Sequence, residues 1–148
     1  MAVDRRILTE NAHELSRLRA LVARLGDADL ARPLPGGWTI AAVLGHLAFW
    51  DQRIIVLLEA MERGEALPGY HEEDVDWIND AGKPFLLALP PRQAAQLALA
   101  IAEAVDRKVE TVSDDVMARN AAAGGPLNYL RAEHRRAHLD EIEAALRG

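Results

Sequence analysis

Apolar side chains recur at three- and four-residue steps over four stretches of this chain, the period of helices that bury one face. Leu8, Leu15, Leu18, Val22 and Leu25 mark the first helix, from about Asp4 or Thr9 to Leu25, with Gly26 as its stop. Arg32-Pro33-Leu34-Pro35-Gly36-Gly37 cannot continue a helix and reads as a loop. Thr39 then caps a second helix that runs to about Arg63 and is ended by Gly64 and Pro68. Its apolar arc (Val43, Leu44, Leu47, Trp50, Ile54, Leu57, Leu58, Met61) is wide, as expected for a helix flanked on several sides. A third begins near Pro91 and runs to about Val112, with Leu97, Ile101, Val105 and Val109 in register. Gly124-Gly125-Pro126 opens the fourth, which continues to Leu146. Between the second and third helices the period fades. Gly69, Gly82, Pro84 and Pro90 punctuate residues 67–89, and Glu73 to Asp80 can form a short helix carrying Trp77. The predicted fold is all-α: a four-helix bundle occupying residues 1–148 as one domain, with a long, partly irregular connection between helices two and three.

Composition agrees and narrows the function. Half of the 148 residues are hydrophobic but 5% are aromatic, a balance that favours helices over a β-sandwich. The net charge of −6 and the lack of any long basic run argue against a nucleic-acid partner. Short pairs such as Arg135-Arg136 read as a solvated helix face. There is no cysteine. That removes any disulfide framework and agrees with a cytoplasmic location. It also leaves only nitrogen and oxygen ligands for a metal, and any thiol chemistry must take its sulfur from a small molecule. The N-terminus opens no apolar signal region. The most apolar stretch, Ile40 to Met61, is interrupted by His46, Asp51, Gln52, Arg53 and Glu59, so no plain membrane span is expected.

The candidate chemistry lies in the histidines. His134 and His138 fall on the stripe Leu127, Leu130, His134, His138, Ile142, Ala145, one helical turn apart. By themselves they allow a shared metal, a paired core or a haem-like ligand. Buried imidazoles need partners, and two rings from neighbouring turns can reach one ion at about 2.1 Å. His46, at the edge of the second helix's apolar arc, supplies a third imidazole from a facing helix. Three histidines leave positions open for water or substrate, as catalytic sites do. Rival motifs fail on spacing. Neither His13-Glu14 nor His71-Glu72 has a second histidine at the zincin distance, and Glu10 to His13 is a single di-iron match facing away from the leucine stripe. Ser16 and Ser113 lack a nucleophile-elbow context, and phosphate-binding glycine loops are missing.

Gly37-Trp38-Thr39 leading into the second helix, Gly45-His46-Leu47-Ala48-Phe49-Trp50-Asp51 within it, Asp76-Trp77-Ile78-Asn79 after it, and Glu133-His134-Arg135-Arg136-Ala137-His138 near the end together resemble the DinB/YfiT-like superfamily. The resemblance covers nearly the whole chain. It implies a four-helix bundle whose metal site takes one histidine from helix two and a His-x-x-x-His pair from the last helix, here His46, His134 and His138. Imidazole ligands suit zinc, nickel, iron or copper and do not choose among them; a divalent ion is expected, zinc or nickel first and then iron. Relatives of this kind include metal-dependent transferases and an isomerase that use low-molecular-weight thiols, together with hydrolase-like and self-protection proteins. The resemblance therefore implies a divalent-metal enzyme acting on a small electrophile with an exogenous thiol. Hydrolysis, or a non-catalytic metal-binding bundle, remains open beside it. A small-molecule partner is expected, and a homodimer through the alanine-rich faces of helices three and four.

Secondary candidates lie around these three. Asp51 lies near the centre of the second helix's arc. It either orients a ligand histidine, carries a proton, or pairs with an arginine such as Arg53 or Arg131. Trp50 reads as core packing beside His46 ahead of a substrate contact. Trp77 and Asn79 fall in the irregular connection, which the resemblance places near the site mouth; contact with substrate is the lesser reading for both. His13, His71 and Glu133 read as solvent-exposed.

Overall fold

Four long helices dominate the structure, a computed structural model that describes residues 2–69 and 71–148. The first, α1 (Arg5–Arg24), starts where the Asp4 carboxylate accepts from the Arg6 backbone N–H at 2.9 Å. A single turn, α2 (Asp27–Leu30), follows. Two short strands, β1 (Pro33–Leu34) and β2 (Trp38–Thr39), then pair antiparallel with Pro33 opposite Thr39 and Leu34 opposite Trp38. Gly36 and Gly37, both at φ 76°, turn the chain between them in a conformation that a side chain would strain. Thr39 caps α3 (Ile40–Glu62), its hydroxyl accepting from Ala42 N–H at 3.1 Å.

The described residues after α3 form no regular element up to a 3₁₀ turn at Glu72–Asp74, which leads into α4 (Val75–Ala88). This helix is longer than the Glu73–Asp80 segment expected from the sequence. It passes through Gly82 and exposed Pro84, and none of its residues is buried. Its inner face, with Val75, Ile78, Leu86 and Leu89, is only half-buried, and Gly82 and Pro84 interrupt the pattern that would have marked its full length. The third long helix, α5 (Pro91–Glu110), matches expectation.

The last quarter corrects the sequence reading. A nine-residue helix, α6 (Asp114–Ala122), precedes the glycines, begun by Ser113 accepting from Val116 N–H at 3.2 Å. Gly124 and Gly125 take φ of 84° and 73°, which ends a helix and cannot open one. The final helix, α7, runs from Ala132 to Arg147. Leu127 and Leu130 therefore lie before it. Its buried positions are Ala132, Arg135, Leu139 and Ile142, a stripe rotated one residue from the histidine stripe. Arg135 is fully buried, not part of a solvated face, and His134 and His138 flank the core at half-burial.

The long helices close a ring in which α1 packs on α5 and α7, and α3 packs on the same two. Alanines 94, 95, 98 and 102 bring α5 close to α3, the heaviest contact in the molecule. Two apolar clusters form. One gathers Leu18, Leu21, Leu44, Leu47, Leu139 and Ile142; the other gathers Ile54, Leu58, Met61, Val105, Val109 and Leu127. Each fully buried leucine contributes about 1.5–3 kcal/mol. On α3 the clusters are separated by Asp51, and on α5 Asp106 borders the second, so a charged layer crosses the core between them. α3 is also long and apolar enough to cross a membrane by length and composition, and 72% of that stretch is buried inside the bundle.

Candidate metal centre

His46 projects from the first half of α3, and His134 and His138 from successive turns of α7. The three rings form a near-equilateral triangle: centroids are 5.0 Å apart for His46 and His134, and 4.9 Å for each pair involving His138. One ring nitrogen from each lies within 4.8 Å of the others. His46 Nε2 is 3.1 Å from His134 Nε2, inside the roughly 4.2 Å that two donors at about 2.1 Å from one ion can span. Without an ion, that distance is a hydrogen bond only if one of the two nitrogens carries the proton.

Burial drives the protonation states. It pushes His46 down to about 4, helped by His138. It pushes His134 to about 3, with His138, His46, Arg131 and Arg135 adding in the same direction. Both rings are neutral at pH 7, with lone pairs available for a cation. His138 Nδ1 stands 3.2 Å from Glu141 Oε2. An Nδ1–H donated to that carboxylate leaves Nε2 as the free donor nitrogen and fixes the ring. Glu141 was not singled out by the sequence reading; its signal was the three-residue step from His138.

The triangle opens into a cavity of about 1110 Å³, which reaches from Trp38, Trp50 and Asn79 beneath α4 to the glycine turn at 124–125. The Trp38 and Trp50 rings stand edge-on to His46, with centroids at 5.8 and 6.5 Å. Trp50 is thus a cavity wall as well as packing, and its Nε1–H donates to Asn79 Oδ1 at 2.8 Å. Gly45 allows the end of α4 to close on α3 here: a Cβ at this position would stand 3.1 Å from Leu86 Cδ2. Trp77 lies outside the cavity, 60% exposed, and donates to Asp74. His13, His71 and Glu133 are exposed.

Asp51 does not touch the histidines among its hydrogen bonds to described residues. Its Oδ1 accepts from Arg131 Nε at 2.9 Å and its Oδ2 from Arg135 Nη2 at 3.3 Å. The arginine pairing is therefore the reading realised, in place of an acceptor for a ligand imidazole. Arg135 also grips Asp106 with both terminal nitrogens, at 2.9 and 2.7 Å, and donates to the Asn11 and Ala102 carbonyls. Asn11 in turn accepts from Ala132 N–H and donates to the Tyr129 carbonyl. These bonds fix the first turn of α7, from which His134 projects.

The fold and its open triangle of imidazoles define a helical bundle with a possible three-histidine metal centre. Residues 12–144 match the mycothiol maleylpyruvate isomerase N-terminal domain, and the chain belongs to that DinB/YfiT-like four-helix family. No curated protein and no solved structure matches the chain.

Proposed function

We propose that this protein binds a divalent metal ion through His46, His134 and His138 and acts on a small electrophile in the adjoining cavity, with an exogenous thiol as co-substrate. The observation that carries this reading is the opening of the triangle: three imidazole donors, two held neutral by burial, face a large cavity. An all-imidazole donor set suits zinc, nickel, iron or copper and does not by itself choose among them; zinc and nickel are the ions to test first. A divalent ion bound there lowers the pKa of a thiol or water beside it. The chain's own residues do the rest. Glu141 holds the His138 ring, and the Arg135 cluster fixes the helix that carries His134. Trp38 and Trp50 line the pocket beside His46.

The thiol reading draws on two facts: the family's name specifies mycothiol, and the chain has no cysteine of its own. Activated water would use the same centre for hydrolysis. Metal analysis of the native protein, repeated on the His134→Ala, His138→Ala double variant, tests the shared premise. Stoichiometric zinc or nickel lost in the variant supports it, and equal metal in both defeats it. Turnover of a panel of electrophiles that requires both metal and an added thiol supports the transferase. Turnover without thiol favours the hydrolase, and saturable metal binding without any turnover leaves a metal-binding bundle.

A further inference from the structure

Arg131 is the first residue before α7, one turn ahead of His134, and it is 6% exposed. Its guanidinium has five N–H donors. Among described residues its hydrogen bonds amount to one, Nε to Asp51 Oδ1, so both terminal nitrogens lack a partner. Yet the buried side-chain nitrogen found sealed from solvent without a partner is Arg135 Nε, not an Arg131 atom. Since Arg131 lines the three-histidine cavity, its unpaired Nη edge opens into that space. It is close enough to His134 for its charge to lower the imidazole's pKa.

The other charged groups of the cavity wall are engaged. Arg119 donates to Asp115 and to the Met61 carbonyl, and Arg53 lies over the Trp50 ring. Glu65 is paired with Arg63, and Glu141 with His138. Asn128, three residues before Arg131, uses its Oδ1 to accept from Leu130 N–H, which leaves its amide N–H₂ as a second donor on the same wall. A guanidinium fixed at Nε by a buried carboxylate presents its Nη edge as a rigid fork, matched to a planar oxyanion.

We propose that Arg131, assisted by Asn128, is the specificity-determining anchor for a carboxylate on the cavity's small-molecule ligand, which places the remainder of that ligand against the three histidines. The assignment takes from the proposed function that this cavity binds a small ligand; it requires no bound ion.

Cinnamate and its neutral isostere cinnamamide are suitable probes, titrated calorimetrically into the full chain after metal removal by chelation and again with zinc restored. The expected result is at least tenfold tighter binding of the acid by the metal-free chain. Arg131→Met should abolish that preference, and Arg131→Lys should retain part of it. Arg119→Met should leave it unchanged. Because Arg131→Met also unpairs Asp51, Asn128→Asp serves as an independent variant. It keeps the acceptor for Leu130 N–H, adds a negative charge to the wall, and should weaken the acid at least fivefold without affecting the amide. Equal affinity for acid and amide in the metal-free chain, the outcome if water alone satisfies Arg131, overturns the proposal. A preference that survives both Arg131→Met and Asn128→Asp overturns it as well. Failure of zinc to bind at all would defeat the metal reading while leaving this preference intact, so the two failures are separable.

Discussion

The Arg135 guanidinium is clasped edge-on by the Asp106 carboxylate, Nη1 to Oδ2 at 2.9 Å and Nη2 to Oδ1 at 2.7 Å, inside the bundle core. With Asp51 and Arg131 this makes a buried group of two cations and two anions, lying between two apolar clusters. Such a group is costly to desolvate and stable only while complete.

Removing one member should therefore be severe. Arg135→Met leaves Asp106 and part of Asp51 buried without their cation and should cost about 3–5 kcal/mol. Arg19→Met removes an exposed arginine that pairs with the partly exposed Glu103 and should cost about 1 kcal/mol or less. Urea unfolding of the two variants checks the contrast. Equal losses would show that the buried cluster has no special weight.

This same arginine marks the limit of what the sequence discloses. The bounds of α1, α3 and α5 were legible to within a few residues, because a start signal (a capping Asp4 or Thr39, or Pro91 in the first turn) coincides there with a 3.6-residue apolar period. His46, His134 and His138 stood out because imidazoles broke an otherwise apolar pattern, and the fold does bring them together. Arg135 was misread because a charged residue adjoining Arg136 looks solvated until its partners, from helices 29 and 84 positions away, are known. α4 and the true start of α7 escaped for related reasons. In one, Gly82 and Pro84 interrupt a face that is only half-buried, and the other is set by the Asn11 side chain reaching Ala132 N–H from α1.

The Glu141 carboxylate gives a second test. If it holds the His138 ring by accepting from Nδ1, Glu141→Ala should weaken zinc binding by about 10–100-fold, the usual effect of losing a partner to a ligand histidine. Folding stability should scarcely change, since this pair is partly exposed. Competition with a chromophoric chelator measures the affinity. Unchanged affinity would show that Glu141 does not orient a ligand.

Acid should destabilise the metal-free protein earlier than its carboxylates alone would. His46 and His134 have folded pKa values near 4 and 3, against 6.5 for an unperturbed histidine. In the window between those values the unfolded chain binds protons that the folded chain refuses. The contribution to stability is thus complete above pH 6.5 and is lost progressively as pH falls toward 3. A slope of about 1–2 kcal/mol per pH unit should emerge below pH 6. Urea midpoints between pH 7.5 and 5 measure it, a range largely above carboxylate titration. The His46→Gln, His134→Gln double variant should flatten the slope, and an unaltered slope would place the proton uptake elsewhere.

Asn79 is the polar tie between α4 and the cavity wall. α4 buries none of its residues fully, so its seat depends on a few contacts: Trp50 Nε1–H to Asn79 Oδ1, Lys83 to the Gly36 carbonyl, and Leu86 against Gly45. Removing the first should loosen this helix more than it destabilises the bundle, because local opening draws on local contacts. Asn79→Ala is expected to cost about 1 kcal/mol or less in global unfolding. It should also raise amide exchange across Val75–Ala88 severalfold, while exchange in α3 and α5 stays unchanged. Exchange that rises uniformly through all the helices would instead make Asn79 a determinant of global stability, and α4 would then be an integral part of the bundle with no separate opening.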